Sequence, residues 1–226
     1  MNEALEARPS SMSARLKVAG LLVRCWHPRF VVVEKPSGLL SQPGLGMAQS
    51  DSVITRVQVE SPELRLVHRL DRDTSGLLVL ARDSDSLKQL SRLFEARKVH
   101  KLYAADVTGC PECGSGSVRL PLARLSTHPP RYGTHPNGRH SVTLWRCAQR
   151  GHQTSRLWLV PQTGRSHQLR AHLAAIGLPI MGDPIYGSSD SGLAHDRMHL
   201  HAIGLSFCDP FSRRRVRVRS PLPWIA

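Results

Sequence analysis

The sequence predicts an α+β domain, a mostly antiparallel mixed sheet with a few flanking helices, on three observations. Apolar runs of strand length recur along the chain, some with period-two alternation. Few segments carry apolar residues at helical spacing. Strands follow one another directly instead of alternating with helices, which disfavours a doubly wound parallel sheet.

Residues 1–20, which include Arg8-Pro9-Ser10-Ser11, lack a sustained pattern and are read as a flexible amino-terminal arm, leaving 21–226 as one domain. Phe30-Val31-Val32-Val33 reads as a strand stopped by Lys35-Pro36-Ser37-Gly38, and Pro43-Gly44 marks a second turn. A short helix is expected over 50–60. Residues 64–70 then lead into the polar turn Asp71-Arg72-Asp73-Thr74-Ser75-Gly76, followed at once by the buried strand Leu77-Leu78-Val79-Leu80-Ala81. Asp83 or Ser84 can cap a helix whose Leu87, Leu90, Leu93 and Phe94 share one face. Residues 101–107 read as a strand, and 110–138, rich in Gly and Pro, as loops around a short strand at 118–120. Strands are expected at 141–146 and 155–160, then a helix over about 166–176 with Leu169, Leu173 and Ile176 inward and Gly177 as its stop. The chain closes on strands at 199–207 and 214–218. In the last, Val216 and Val218 alternate with Arg215, Arg217 and Arg219, giving one apolar and one cationic face.

At 226 residues the chain can bury a core without metal or disulfide staples. Its 40% hydrophobic content excludes collagen-like and mainly disordered classes, and no run approaches the roughly 18 apolar residues of a membrane span. Five cysteines, an odd number, argue against a disulfide framework and for a cytoplasmic location. The net charge of +14 is nearly all arginine, 26 Arg against 5 Lys, and a planar guanidinium that grips phosphate and stacks on bases suggests a nucleic-acid partner. An arginine-favouring base composition would produce the same balance.

Three segments put polar residues where chemistry can occur. In His68-Arg69-Leu70-Asp71-Arg72-Asp73-Thr74-Ser75-Gly76, Asp71 is set between arginines. In Gln162-Thr163-Gly164-Arg165-Ser166-His167-Gln168-Leu169-Arg170, a Thr-Gly turn opens a helix whose amides and Arg165 favour an anion. A carboxylate held beside a guanidinium stays ionised and can act as nucleophile or base, and Asp71 with Arg165 would make such a pair. Tyr103, on the 101–107 strand, can stack on a base or transfer a proton. Taken singly, each has a plainer explanation: a surface ion-paired turn, a basic helix face, a core tyrosine.

In this order the segments resemble the RluA-type branch of the RNA pseudouridine synthases. Val31 to Leu40 is similar to that family's opening strand and Lys-Pro turn, His68 to Gly76 to its catalytic loop, and Lys101 to Gly109 to its tyrosine strand. Thr163 to Leu173, with Gly177, Pro179, Gly182-Asp183 and Tyr186-Gly187, resembles its arginine-leucine segment; Leu200-His201-Ala202 and Asp209-Pro210 fit the closing strands. The resemblance implies the pseudouridine synthase catalytic fold over 21–226 and isomerisation of a flipped-out uridine in ribosomal or transfer RNA. Asp71 would be the nucleophile, at the ribose anomeric carbon or at the uracil ring. Tyr103 would lie against the base and take a proton from the sugar. Arg165 would pair with Asp71, Leu169 would pack under the uracil, and Arg69 would help displace or replace the extruded nucleotide in the stack, with His68 and Arg170 as further substrate contacts.

Phosphate contacts fall to Arg131, Arg139, Arg215, Arg217 and Arg219, alongside Arg213 and Arg214, all of which a solvated basic face would also explain. Many relatives carry an amino-terminal S4-type RNA-binding module, and the residues before Val18 are expected to be too few for one. No organic cofactor is expected. Cys110-Pro111-Glu112-Cys113, with His135 and His140 downstream, fits no zinc-finger spacing, and His199 and His201 on one strand face read as packing, so no metal is expected. Nothing calls for an obligate protein partner. A non-catalytic RNA-binding or RNA-folding module on the same scaffold is the alternative, although such a protein would have no chemical need for Asp71.

Overall fold

A computed structural model describes residues 17–127, 130–187 and 195–224. An eleven-stranded mixed sheet dominates them, and two further strands form a separate hairpin. The first half of the sheet is β1 (Lys17–Val18), β2 (Leu21–Trp26), β3 (Phe30–Lys35) and β5 (Ser75–Ala81), with the short β4 (Arg65–Leu66) beside β5. The second half is β6 (His100–Thr108), β7 (Ser115–Val118), β10 (Thr143–Arg150), β11 (Thr154–Pro161), β12 (Leu200–Cys208) and β13 (Arg215–Arg219). Every ladder is antiparallel except the β5–β12 seam, which joins the halves in parallel through His201 opposite Ser75 and Ala202 opposite Gly76.

Period-two alternation explains how the first half is filled. In β3, Val31 and Val33 face one layer with Leu78 and Leu80 of β5, while Phe30 and Val32 face the other with Leu77, Val79 and Ala81. The first layer is closed by Val53 and Val57 of α1 (Val53–Glu60), which a Ser52–Thr55 capping box starts. The second is closed by Leu90, Leu87 and Leu93 of α2 (Ser84–Glu95), capped by Asp83 accepting from the Ser86 amide. With both faces covered, β5 is buried along its whole length. In the second half, Ala105, Val107, Leu157 and Leu159 pack against Leu169 and Leu173 of α3 (Gln168–Ala175).

The structure departs from the sequence-based expectation in four places. Residues 17–20 are not part of an arm: β1 and β2 form a hairpin whose connection, Ala19-Gly20, has both φ values positive, the geometry of a type I′ turn. The rest of the expected arm, 1–16, lies outside the described residues. The loops expected over 110–138 contain β7 and the separate hairpin of β8 (Leu122–Thr127) and β9 (Pro130–Thr134). In α3, Ile176 is a partly exposed C-cap residue instead of a core contact, whereas Gln168, Arg170 and His172 are buried. The plainer explanation of that helix as a surface element with a basic face therefore fails, since Arg170 and His172 are turned inward.

Gly76 is dictated by the seam. A Cβ there would lie 2.5 Å from both the amide nitrogen and the carbonyl oxygen of Ala202, and φ is 116°. Gly76→Ala is expected to cost about 3 kcal/mol or more in urea unfolding, because backbone on a neighbouring strand cannot move aside. Gly38, whose φ is 83° but which has nothing within 4 Å of a built Cβ, is the control, with Gly38→Ala costing only about 1 kcal/mol.

Candidate active site

The residues singled out in the sequence come together at a cleft of about 620 Å³ beside the seam, lined by the 68–71 loop, the start of β6 and the 160–170 segment. Asp71 enters it from the turn preceding β5. The Lys35-Pro36-Ser37-Gly38 turn grips that loop from behind: buried Lys35 Nζ donates to the carbonyls of Pro36 (2.9 Å), Leu39 (2.6 Å) and Arg72 (2.7 Å). Ser37 Oγ donates to Asp73 O, the Gly38 amide to Arg72 O, and Ser41 Oγ exchanges hydrogen bonds with both backbone groups of Leu70. Burial draws the Lys35 ammonium down to about 7, against the opposing pull of Asp73 and Asp71. Residues 70–73 thus depend on a segment 29 to 37 positions earlier.

The guanidinium that meets Asp71 belongs to Arg170. Its Nη1 lies 3.5 Å from Asp71 Oδ2, at the outer limit of a hydrogen bond, while Nε and Nη2 form a two-pronged pair with Asp183 at 2.7 and 2.8 Å. The Arg170 side chain is 2% exposed and that of Asp183 0%, whereas Asp71 is 30% exposed toward the cleft. Desolvation works against the buried Arg170 charge, but the Asp183 hydrogen bonds and charge, with Asp71 adding to them, hold its pKa above the ordinary value. Asp183 Oδ1 also accepts from the Ile185 and Tyr186 amides, so it is anchored on both sides.

Arg165, the partner expected from the sequence, lines the same cleft without reaching Asp71. Its Nε points to the His140 carbonyl at 3.4 Å. The reason lies in Gln168, whose buried carboxamide accepts from the Arg165 amide and from Thr163 Oγ1 and donates to Val142 O and Thr143 Oγ1. That staple ties the 163–165 turn to the start of β10 and directs Arg165 that way. Arg170, inside α3 and three residues beyond His167, projects on the side facing Asp71.

Tyr103 and Leu169 line the cleft, both partly withdrawn into the apolar layers. Burial, helped by the Asp71 charge, pushes the Tyr103 phenol above its usual range. It is therefore a neutral phenol at physiological pH, able to stack or to give a proton. Taking one from the sugar would require it to lose its own first. His68 is held inward, its Nε2 accepting from the Val79 amide at 3.1 Å and its ring stacked on Phe94. Burial, and secondarily Lys101, draws its pKa down to about 3, so it presents a neutral ring edge to the cleft. Arg69 is exposed at the mouth.

Arg131, Arg139, Arg215, Arg217 and Arg219 are exposed, and none lines the cleft. Arg215, Arg217 and Arg219 do form the cationic face of β13, opposite buried Val218. Sequence reasoning passed over two cations that line the cleft, Arg97 and Lys101, together with His167, whose Nε2 is 4.0 Å from Asp71 Oδ2. Arg97 follows α2 at the left-handed position of a Schellman turn, with φ 57°. Nothing in the sequence marks this turn, because the glycine that ordinarily signals one is missing. Among the described residues no three His, Cys, Asp or Glu side chains converge as metal ligands, and no helix is long and apolar enough to cross a membrane.

Comparison with known proteins shows the family. The family model described as RNA pseudouridylate synthase matches residues 29–175. The chain is 43% identical over 188 residues to the dual-specificity RNA pseudouridine synthase RluA of Vibrio vulnificus, covering 80% of this chain and 75% of the relative. It is 38% identical over 203 residues to the protein of that name from Escherichia coli K12, covering 89% and 93%. Among solved structures, human RNA pseudouridylate synthase domain containing 1 superposes with a TM-score of 0.78 at 27% identity, over 94% of this chain and 88% of that one.

Proposed function

We propose, from the premise that this chain belongs to the RluA-type RNA pseudouridine synthases, that Asp71 is the nucleophile with which it isomerises uridine to pseudouridine in RNA. The observation that carries the assignment is the position of this carboxylate, open to the cleft on one side and facing the buried Arg170 on the other. A carboxylate oxygen bonds either to ribose C1′, expelling uracil with the N1–C1′ electron pair, or to C6 of the ring. On both routes the N1–C1′ bond breaks and the base turns. C5 then bonds to C1′, the carboxylate departs with its electron pair, the C5 proton leaves and N1 gains one. No redox step arises.

A uridine in folded RNA must first be extruded, at a cost of a few kcal/mol in lost stacking and pairing. Tyr103 and Leu169 offer the flipped base an apolar contact, with the phenol available as a proton donor. Arg69 at the mouth is placed to fill the gap left in the stack. Arg97 and Lys101 inside the cleft, with the outer arginines of β13, are candidate phosphate contacts that position the RNA without reading its sequence. Ribosomal or transfer RNA is the proposed substrate; the dual specificity in the relatives' name fits an enzyme with acceptors in both classes. The cytoplasm, where both occur, is the proposed location.

The test is carbodiimide mapping of pseudouridine, by primer extension, in ribosomal and transfer RNA from a strain lacking the gene. Complementation with the wild type is expected to restore specific stops and Asp71→Ala to restore none. Stops restored by both would remove Asp71 from the chemistry. A second expected outcome concerns Arg97. Arg97→Gly relieves the left-handed strain and should raise unfolding stability by roughly 0.5–1 kcal/mol, while weakening RNA binding about 3- to 10-fold at low salt. Urea melts and filter binding read the two effects separately.

A further inference from the structure

The donors around Asp71 converge on one of its two oxygens. Oδ2 has Arg170 Nη1 at 3.5 Å and His167 Nε2 at 4.0 Å, whereas Oδ1 takes no hydrogen bond from the described residues. The other ring nitrogen of His167 is engaged as well. Tyr186 Oη accepts from the Tyr132 amide at 2.8 Å and lies 3.0 Å from His167 Nδ1. With the amide donating to Oη, the phenol's own proton is free for Nδ1, and the tautomer that accepts it carries the ring proton on Nε2, the nitrogen facing Asp71. Burial holds the imidazole pKa below its usual value, and the charge of Arg170 acts in the same direction. The charges of Asp71, Asp183 and Asp73 oppose them. In that tautomer the ring is a neutral group with a donor turned toward Asp71.

Two further features single this residue out. His167 has a left-handed backbone, φ 53° and ψ 17°, immediately before α3, a conformation that costs a non-glycine residue on the order of 1 kcal/mol and is concentrated at functional positions. Its ring also meets that of Tyr132 edge-on at 5.2 Å, and Tyr132 belongs to the separate β8–β9 hairpin. The hairpin is thus tied to His167 both through the Tyr186 hydroxyl and by direct ring contact.

We propose that His167 is a positioning residue for the isomerisation: its Nε2–H, oriented by the Tyr186 hydroxyl on Nδ1, closes on Asp71 Oδ2 and leaves Oδ1 as the oxygen that attacks. A separation of 4.0 Å is too long for a hydrogen bond in the free enzyme, and catalytic contacts of this kind tighten when substrate fills the cleft. The proposal rests on the reading of Asp71 as nucleophile.

Two substitutions separate donation from structure. In His167→Gln the carboxamide nitrogen can reach the place of Nε2. In His167→Asn it reaches only the place of Nδ1, yet Asn is the better tolerated of the two in a left-handed backbone. The assay is single-turnover release of tritium from [5-3H]uridine-labelled transfer and ribosomal RNA transcripts, with RNA binding measured in parallel. His167→Gln is expected within about 5-fold of the wild-type rate and His167→Asn about 10- to 100-fold below it, with Kd changed less than about 2-fold in either. A structural role alone would reverse that order, so Asn equal to or faster than Gln overturns the proposal. Nitrogen-15 spectra of the wild-type imidazole, assigned through the contacts of its ring with those of Tyr132 and Tyr186, should show the proton on Nε2. A proton on Nδ1 overturns the proposal even if neither variant folds. Asp71→Asn, run alongside, separates the two readings: activity there ends both, whereas its inactivity with Asn matching Gln ends only the role of His167.

Discussion

Asp71→Asn is expected to keep the fold and the RNA affinity of the wild type while losing on the order of 10⁴-fold or more in the rate of pseudouridine formation. The amide has nearly the shape of the carboxylate, and at 30% exposure the position demands no charge for folding. What disappears is an oxygen able to form and then release a bond to the nucleoside. Tritium release under single-turnover conditions measures the loss, and an unchanged Kd from filter binding attributes it to chemistry. A residual rate within about 10-fold of wild type would mean that another group performs the attack.

The second large effect concerns stability. Asp183→Ala is expected to destabilise the protein by about 3–5 kcal/mol, because it strands the Arg170 guanidinium, only 2% exposed, with the more distant Asp71 as its remaining counter-charge. It also frees the Ile185 and Tyr186 amides that Asp183 Oδ1 accepts from. The double variant Arg170→Met/Asp183→Leu should recover a substantial part of that loss in urea melts, since no isolated charge is left inside, and should remain inactive. If the double variant were as unstable as the single one, the cost would lie in the two amides and not in the charge.

The parts of the site that could be read in the sequence are those whose geometry is local. Residues 68–76 are one contiguous turn running into an apolar strand, so both the loop and burial of β5 were visible, as was the capped, one-faced α2. The Arg170–Asp71 contact was not, because two arginines five positions apart flank the start of α3 and the one that points inward is decided by Gln168 stapling the turn to β10. Asp183 lies thirteen residues beyond Arg170, past the end of the helix, where no periodicity signals a partner. The β8–β9 hairpin was hidden by Gly, Pro and polar residues that satisfy turn rules as well as edge-strand rules. The β1–β2 hairpin was hidden because Ala-Gly is a weak turn signature beside Asn-Gly.

The two-residue parallel seam between β5 and β12 has a mechanical consequence. Two ladder pairs alone would be a weak join, yet the layer beneath crosses it: Phe30, Val32 and Leu77 of the first half share one cluster with Leu205 and Phe207 of β12 and Val218 of β13. Ser220 Oγ donates across it to Glu34, and His27 lies 3.5 Å from Asp209. Asp71, four residues before the seam's first pair, is thus mounted where the halves brace one another.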